Sequence, residues 1–407
     1  MTPDTVHMGE HHQTAHRAVH RLAVLTAFVG IADFIFGAVY VNVLLSAGAS
    51  PTLIGIGFFC AFAVSTIVEI PSGDMGDRWG QRRVAVSGLT LWGVALIAFG
   101  IAHNAPVALL ATLAVWSVGQ ALFSGAPLSL TINVISPSAT DLRARAVRWA
   151  NIAKWGGSAT GGIAVFVGAL VIETHILISI SGAILVFLAL WVRFGWPESE
   201  RFEPGEAEGQ LWQRLRAGWK PTLWPVLLMT MVSSALLSVI LFTWQPLTAQ
   251  TTGLPVTANG AVLFVLTAMA ALGAWLTRFR DVFRAPGWDI RIALTIVTVG
   301  MLLAGTMPGA VTTVLALTTA ELLTSYCLTA LAMDAHLVFA DRYRNLLWSV
   351  FSAAIGVSMA ATDLVFGLLW DAVGLSSSLA WAGIVGLGVV VVIVIAHRVL
   401  YHARKES

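Results

Sequence analysis

Two carboxylic acids, Asp33 and Glu321, lie near the middle of long apolar stretches, 22–46 and 309–333. A charged side chain in hydrocarbon is expensive, so an acid placed there is held neutral or has a task. In low dielectric a carboxyl group can cycle between neutral and ionised forms, as a proton carrier must. The same group can instead bind a cationic substrate, or stay protonated and only hydrogen-bond a neighbouring helix. Three further charges lie nearer the ends of such stretches. Glu69 is close to the end of 52–73, and Asp363 is placed to meet water at the far end of 345–369 or to serve structurally. Lys154 lies about one turn inside 149–172, where its long stem is expected to snorkel to the interface. Its alternative is to partner an acid.

The elements that position these groups follow from composition. The chain has 407 residues, 57% hydrophobic and 11% charged, with a mean hydropathy of +0.82. Soluble domains carry about 25% charged residues. A soluble enzyme, a disordered chain and a nucleic-acid binder are therefore excluded. A bilayer span needs about 20 apolar residues. Twelve such segments read out: 22–46, 52–73, 84–103, 106–130, 149–172, 176–195, 222–248, 256–277, 291–307, 309–333, 345–369 and 378–400. Runs this long and continuous are helices, because barrel strands would alternate over about 10 residues.

Charge placement tests that reading. Of the 23 lysines and arginines, all but Lys154 fall on one side of a twelve-helix chain and none on the other. The positive-inside rule puts that side, with both termini, in the cytoplasm. The expectation is an all-α polytopic protein of the cell inner (plasma) membrane. Residues 1–21 form an N-terminal tail, 22–195 a first six-helix half, 196–221 a central cytoplasmic loop, 222–400 a second half and 401–407 a C-terminal tail. The N-terminal tail reads as solvated and poorly ordered. It carries His7, His11, His12, His16 and His20, half of the chain's 10 histidines. No metal site and no cofactor are expected. Cys60 and Cys327 read as buried free thiols. The central loop contains an amphipathic stretch whose Leu211, Trp212, Leu215 and Trp219 would face lipid headgroups. Trp79, Trp149, Trp196 and Trp224 are among those that fall near predicted interfaces as belt anchors.

An internal repeat supports the two halves. Gly48-Ala-Ser-Pro-Thr-Leu-Ile-Gly55 separates the first two segments, and Gly253-Leu-Pro-Val-Thr-Ala-Asn-Gly260 separates the seventh and eighth. Both have the same glycine spacing and a proline. The fifth segment carries Gly156-Gly157-Ser-Ala-Thr-Gly161-Gly162, small residues spaced for close helix packing.

After the second segment comes Glu69-Ile-Pro-Ser-Gly73-Asp74-Met-Gly76-Asp77-Arg78-Trp-Gly80-Gln-Arg82-Arg83. This resembles the signature loop of the major facilitator superfamily. Gly73, Asp77, Arg78, Gly80, Arg82 and Arg83 match its pattern, on the basic side where that family keeps it. The lead-in, with Ser124-Gly125-Ala126 and Trp244-Gln245-Pro246, is similar to a bacterial subgroup that includes many exporters. The resemblance implies alternating access, with the first, fourth, seventh and tenth helices lining a cavity. It implies a cytoplasmic gate at Glu69, Gly73, Asp77, Arg78, Gly80, Arg82 and Arg83. Asp77 would cap the helix beginning near Asn345, and the arginines would meet acids such as Asp141 or Asp341. In the second half Thr277 stands where Asp77 stands, so the charged lock is expected on the first-half side alone. Two departures weaken standard proton antiport. The fifth helix lacks a Gly-Pro pair, and the fourth lacks an arginine.

The expected function is secondary active transport: proton-coupled export of small amphipathic molecules, with the proton gradient as energy source. The alternative is an importer or facilitator of a small metabolite. Asp33 and Glu321 are the candidates for proton coupling or substrate binding. Phe34, Trp116, Gln120, Trp244 and Gln245 are candidate cavity lining, with Phe36 and Asn133 beside them. The expected partners are a small-molecule substrate and the lipid bilayer, with no nucleic acid, and the working unit is a monomer. No enzyme is expected. His103, His175, His336 and His397 have no catalytic partner at useful spacing.

Overall fold

A computed structural model describes residues 3–135, 140–196, 211–282, 287–339 and 344–405. Among these residues all regular structure is helical. The first half contains α1 (Pro3–Gly37), α2 (Tyr40–Ser46), α3 (Pro51–Trp79), α4 (Gln81–Ile101), α5 (Pro106–Phe123), α6 (Ala126–Val134), α7 (Thr140–Gly168) and α8 (Thr174–Gly195). A short α9 (Leu211–Gly218) precedes α10 (Leu223–Thr252), α11 (Asn259–Leu276), α12 (Trp288–Thr306), α13 (Ala310–Val338), α14 (Arg344–Val373) and α15 (Leu375–Lys405).

Eleven spans among the described residues are long and apolar enough to cross a membrane. Some combine two helices, such as Ala15–Ser46 and Pro106–Ile132. The fifth apolar segment of the sequence is not among them. It lies in α7, which at 29 residues is long enough but less apolar. Gly157 and Gly161 pack against α1 and Gly162 against Gly260, while Asn151 and Lys154 interrupt the apolar run.

The chain forms two compact units. One comprises Met1–Gly48, Cys60–Glu208 and Thr257–Phe264, the other Ala49–Phe59, Gly209–Val256 and Val265–Ser407. In the first, α1 packs along α7, and α4 along α8 and α5. In the second, α10 packs along α14, and α12 along α15 and α13. The same pairing therefore recurs six spans later. The glycine repeat has a structural counterpart. Gly48 (φ 86°) and Gly253 (φ 66°) both take left-handed backbone after α2 and α10. Seven residues on, Gly55 abuts Asp363 and Gly367 within the second unit, and Gly260 abuts Gly162 and Phe166 within the first.

Several expectations are corrected. The N-terminal tail is helical from Pro3, continuous with the first span. The side chains of His7, His11 and His12 lie outside the described residues. The signature loop is helix through Trp79, and the chain turns on Gly80 alone. Gly80 has φ 94° and ψ 131°, backbone that only glycine adopts cheaply, although a Cβ there would meet nothing within 4 Å. Gly80→Ala is expected to cost about 1–3 kcal/mol through that strain, read as a lower melting temperature of the purified protein.

Leu215 and Trp219 do not face headgroups. They pack on a cluster of Leu223, Leu227, Ala335, Phe339, Leu347 and Phe351 at the ends of α10, α13 and α14. Apolar surface was available there, and burying it is favourable. Leu211 and Trp212 lie outside the described side chains. Trp79, Trp149 and Trp224 are exposed as belt anchors require, but Trp196 is buried. Cys327 is buried, whereas Cys60 is exposed on α3.

Candidate functional site

The first unit contains a cavity of about 410 Å³ built where broken helices meet an intact one. Pro127 explains one break: it has no N–H to donate, and its ring clashes with the carbonyl four residues back. The helix stops at Phe123, bends through Ser124 and Gly125, and restarts as α6. Ser124, Pro127 and Leu128 from this bend form one wall. The other walls come from α1 (Leu22, Thr26, Val29, Gly30, Asp33), α4 (Trp92), α5 (Gln120, Phe123) and α7 (Ala150, Asn151, Lys154).

Glycines set how α7 faces α1. A Cβ on Gly30 would lie 2.7 Å from the Lys154 carbonyl, and one on Gly157 would strike the backbone of Ala27. The two backbones therefore touch, as small residues allow in membranes. Asp33 is one turn beyond Gly30, so the contact brings the Lys154 side chain to the same cavity. Lys154 thus lines the cavity with Asp33, the alternative to snorkelling to the interface. Gly157→Ala is expected to force α1 and α7 apart, costing about 1–3 kcal/mol and lowering the yield of folded protein on size exclusion. Gly156→Ala, with nothing within 4 Å of the added methyl, should hold or raise stability.

Gln120 Nε2 donates to Asp33 Oδ1 at 3.2 Å. Lys154 lines the same cavity and makes no hydrogen bond or close ion pair among the described residues. The hydroxyls of Thr26 and Ser124 donate to their own helices, to Leu22 and Ala121 carbonyls at 2.9 and 3.1 Å. Trp92 Nε1 is buried without an acceptor among the described residues. The site thus holds one carboxylate already engaged by Gln120, one ammonium with no close partner among the described residues, and an apolar wall. It can bind a small amphipathic molecule and exchange a proton.

Of the other expected lining residues, Phe34 lies on the α7 side, its Cβ close to Gly161. Trp116 joins an aromatic group with Phe36, at 5.6 Å between ring centroids, and its Nε1 is buried without a partner among the described residues. Trp244 and Gln245 are buried in the second unit, at 1% and 0% exposure. The side chain of Asn133 is not described. Glu321 is on α13 in the second unit, and its Oε2 is buried with no partner among the described residues. Asp363 does not meet water. It is 3% exposed and accepts from Ser238 Oγ at 2.5 Å, because α10 packs along α14.

The gate residues are described in part. Gly73, Asp77 and Arg78 lie in the last turns of α3, and their side chains are outside the described residues, as are those of Asp141 and Asp341. Glu69 is half-buried on α3. Arg82 Nη1 donates to the Trp196 carbonyl at 2.9 Å, tying the start of α4 to the end of α8. Arg83 is exposed. The expectation that charged locking belongs to the first half alone is wrong. Arg280 binds Asp334 through two bonds of 2.6 and 2.8 Å and Asp289 at 2.7 Å, and the Tyr326 hydroxyl donates to Asp289 at 2.7 Å. Thr277 replaces the aspartate, but the basic residue three positions on finds acids from two other helices. The sequence signal was there: an arginine following α11, with acids at the start of α12 and the end of α13.

Comparison with known proteins gives a consistent result. The profile of the Major Facilitator Superfamily matches residues 22–360. No curated protein sequence matches. Among solved structures, a bacterial homologue of the human lysosomal transporter Spinster, inward-facing and unoccupied, is similar with TM-score 0.74 at 17% identity, over 94% of this chain and 95% of that one. The nucleoside transporter NupG gives TM-score 0.71 at 13% identity, over 94% and 99%. A D-xylose-proton symporter gives TM-score 0.71 at 13% identity, over 92% and 96%. At these identities the likeness is one of fold.

Proposed function

The chain belongs to the Major Facilitator Superfamily, and from that membership we propose that it is a secondary active transporter of small amphipathic molecules, coupled to protons at Asp33. The observation that carries this reading is the cavity itself: a membrane-depth acid, hydrogen-bonded to Gln120, beside an apolar wall. Such an acid is costly unless it works. Twelve spans, with α7 as the fifth, and cytoplasmic termini complete the reading, in the inner membrane and as a monomer. The positive-inside distribution of lysine and arginine supports that orientation.

Glu321 is the second candidate for coupling, supported by its buried Oε2 without a described partner. The residues Glu69, Gly73, Asp77, Arg78, Gly80, Arg82 and Arg83 form the cytoplasmic gate in this reading, supported by their match to the family's signature. No chemistry on the cargo is required, so the chain is read as a carrier and not an enzyme. The resemblance to an exporter subgroup is the ground for one reading of direction, export in exchange for protons. Uptake is the second, and Lys154 in the cavity favours it. The test is reconstitution in proteoliposomes with a pH-sensitive dye inside. Addition of cargo should move protons, and a protonophore should collapse its accumulation. Cargo flux without any proton movement makes the chain a facilitator instead.

A further inference from the structure

We infer that the cargo is an organic monoanion with an apolar body, its carboxylate held by Lys154, and that it moves in the same direction as the proton. This rests on the reading of the cavity as the transport site. The polar inventory of that cavity is lopsided. Its carboxylate is engaged by Gln120, and its two hydroxyls spend their protons on their own helices. Two donors stand without an acceptor among the described residues, the Lys154 ammonium and the indole N–H of Trp92, while the second Asp33 oxygen and the amide oxygens of Gln120 and Asn151 are acceptors of the cavity itself. A carboxylate is acceptor-only and can meet both donors, and protonation of Asp33 removes the cavity's own competing anion. One ammonium balances one negative charge. The remaining wall, Leu22, Val29, Phe123, Pro127 and Leu128, suits an apolar body, and about 410 Å³ is within the range of small-molecule sites.

The coupling sign follows from charge. With Asp33 ionised, it and Lys154 leave the cavity neutral. With Asp33 protonated, Lys154 stands alone and the cavity is cationic. An anion therefore binds better when the proton is bound, and by linkage the proton binds better beside the anion. A cationic cargo would compete with the proton for Asp33 and give exchange instead. Among the other described charged groups, Arg17, His20 and Arg21 precede Leu22 on α1 and Arg82 and Arg83 begin α4, and none of them is in the cavity lining. Among the residues lining the cavity, α4 and α5 bring Trp92, Gln120 and Phe123, and α6 brings Pro127 and Leu128, none of them titratable. On α7 the cavity takes Ala150 and Asn151 besides Lys154, while Arg145 lies nearer the helix start. On α8, His175 and Arg193 lie at opposite ends of the helix, away from the cavity.

The full-length protein in detergent tests this with three probes of one shape: naphthoate, naphthylmethylamine and naphthamide. Binding is read from the melting shift at about pH 6 and about pH 8. Naphthoate should bind at least about tenfold better than naphthamide, and about 5–150-fold better at the lower pH. Lys154→Gln should remove the preference and Lys154→Arg restore it, each variant first being shown to melt cooperatively without ligand. Asp33→Asn should bind naphthoate tightly at both pH values. Preference for the amine, binding of none of the three, or a naphthoate preference that survives Lys154→Gln overturns the inference. A naphthoate preference without pH dependence, unchanged in Asp33→Asn, keeps the anion and sinks proton coupling at Asp33. An amine preference lost in Asp33→Asn does the reverse.

Discussion

Asparagine at position 33 is expected to abolish proton-driven accumulation and to leave cargo exchange running, if Asp33 is the coupling site proposed above. The substitution keeps the size of the side chain and an oxygen for the Gln120 amide, which donates to Asp33 Oδ1 at 3.2 Å. It removes the carboxyl group among the cavity's described lining residues and leaves Lys154 in place. Accumulation against a gradient should fall to the equilibrium level, while counterflow between loaded and empty proteoliposomes continues near the wild-type rate. The comparison separates coupling from folding, because an unfolded variant loses both activities. Accumulation that persists in Asp33→Asn would move the coupling site elsewhere, with Glu321 next to be changed.

Glutamine at position 280 is expected to destabilise the second unit by about 1–3 kcal/mol, because a part-buried charge network loses its only shared cation among the described residues. Arg280 bridges α12 and α13 by binding Asp289, which is 3% exposed at its side chain, and Asp334. Glutamine reaches neither acid with a charge. Among the described residues Asp289 then keeps the Tyr326 hydroxyl as its side-chain donor, and two acids face each other across the gap. Thermal unfolding in detergent should show the loss, and Arg280→Gln with Asp334→Asn should recover part of it, since neighbouring sites couple. A melting temperature within a degree or so of wild type would mean that water, not Arg280, satisfies these acids.

Lys154 shows where reading the chain in one dimension stops. Its distance from the end of an apolar run suggests a side chain stretching to the interface. What decides otherwise is rotation about the α7 axis, and that is set by glycines: Gly30 and Gly157 let the two backbones touch, which turns Lys154 toward Asp33. The stripe of small residues was visible in the sequence, but not which helix would dock on it. Asp363 is a parallel case. Its depth suggested outer water, yet Ser238, 125 residues earlier, supplies its partner. Trp219 had an amphipathic pattern fit for a membrane surface, and an apolar cluster on α10, α13 and α14 took it instead. In each case the residue's character was legible and its partner was not.

Gln120 and Asp33 were both singled out from the sequence, one as lining and one as an acid at depth. That they share a hydrogen bond depends on α5 facing α1 across the cavity, a pairing between residues 87 positions apart. Gly80 was part of a recognised pattern, and its backbone, φ 94°, supplies the reason a glycine is needed there.

By itself the sequence determined the helical class, the positions of the apolar spans, the two-fold repeat of the glycine turns, and the short list of charges at membrane depth. These are properties of position along the chain, because hydropathy, charge and backbone permissiveness act locally. The tertiary structure alone decided which helix faces meet: that Lys154 shares a cavity with Asp33, that Arg280 finds Asp289 and Asp334, and that Asp363 is sealed by Ser238. Helix rotation and docking are set by contacts between residues far apart in sequence, in a bilayer whose apolar solvent does not dictate which apolar face turns inward.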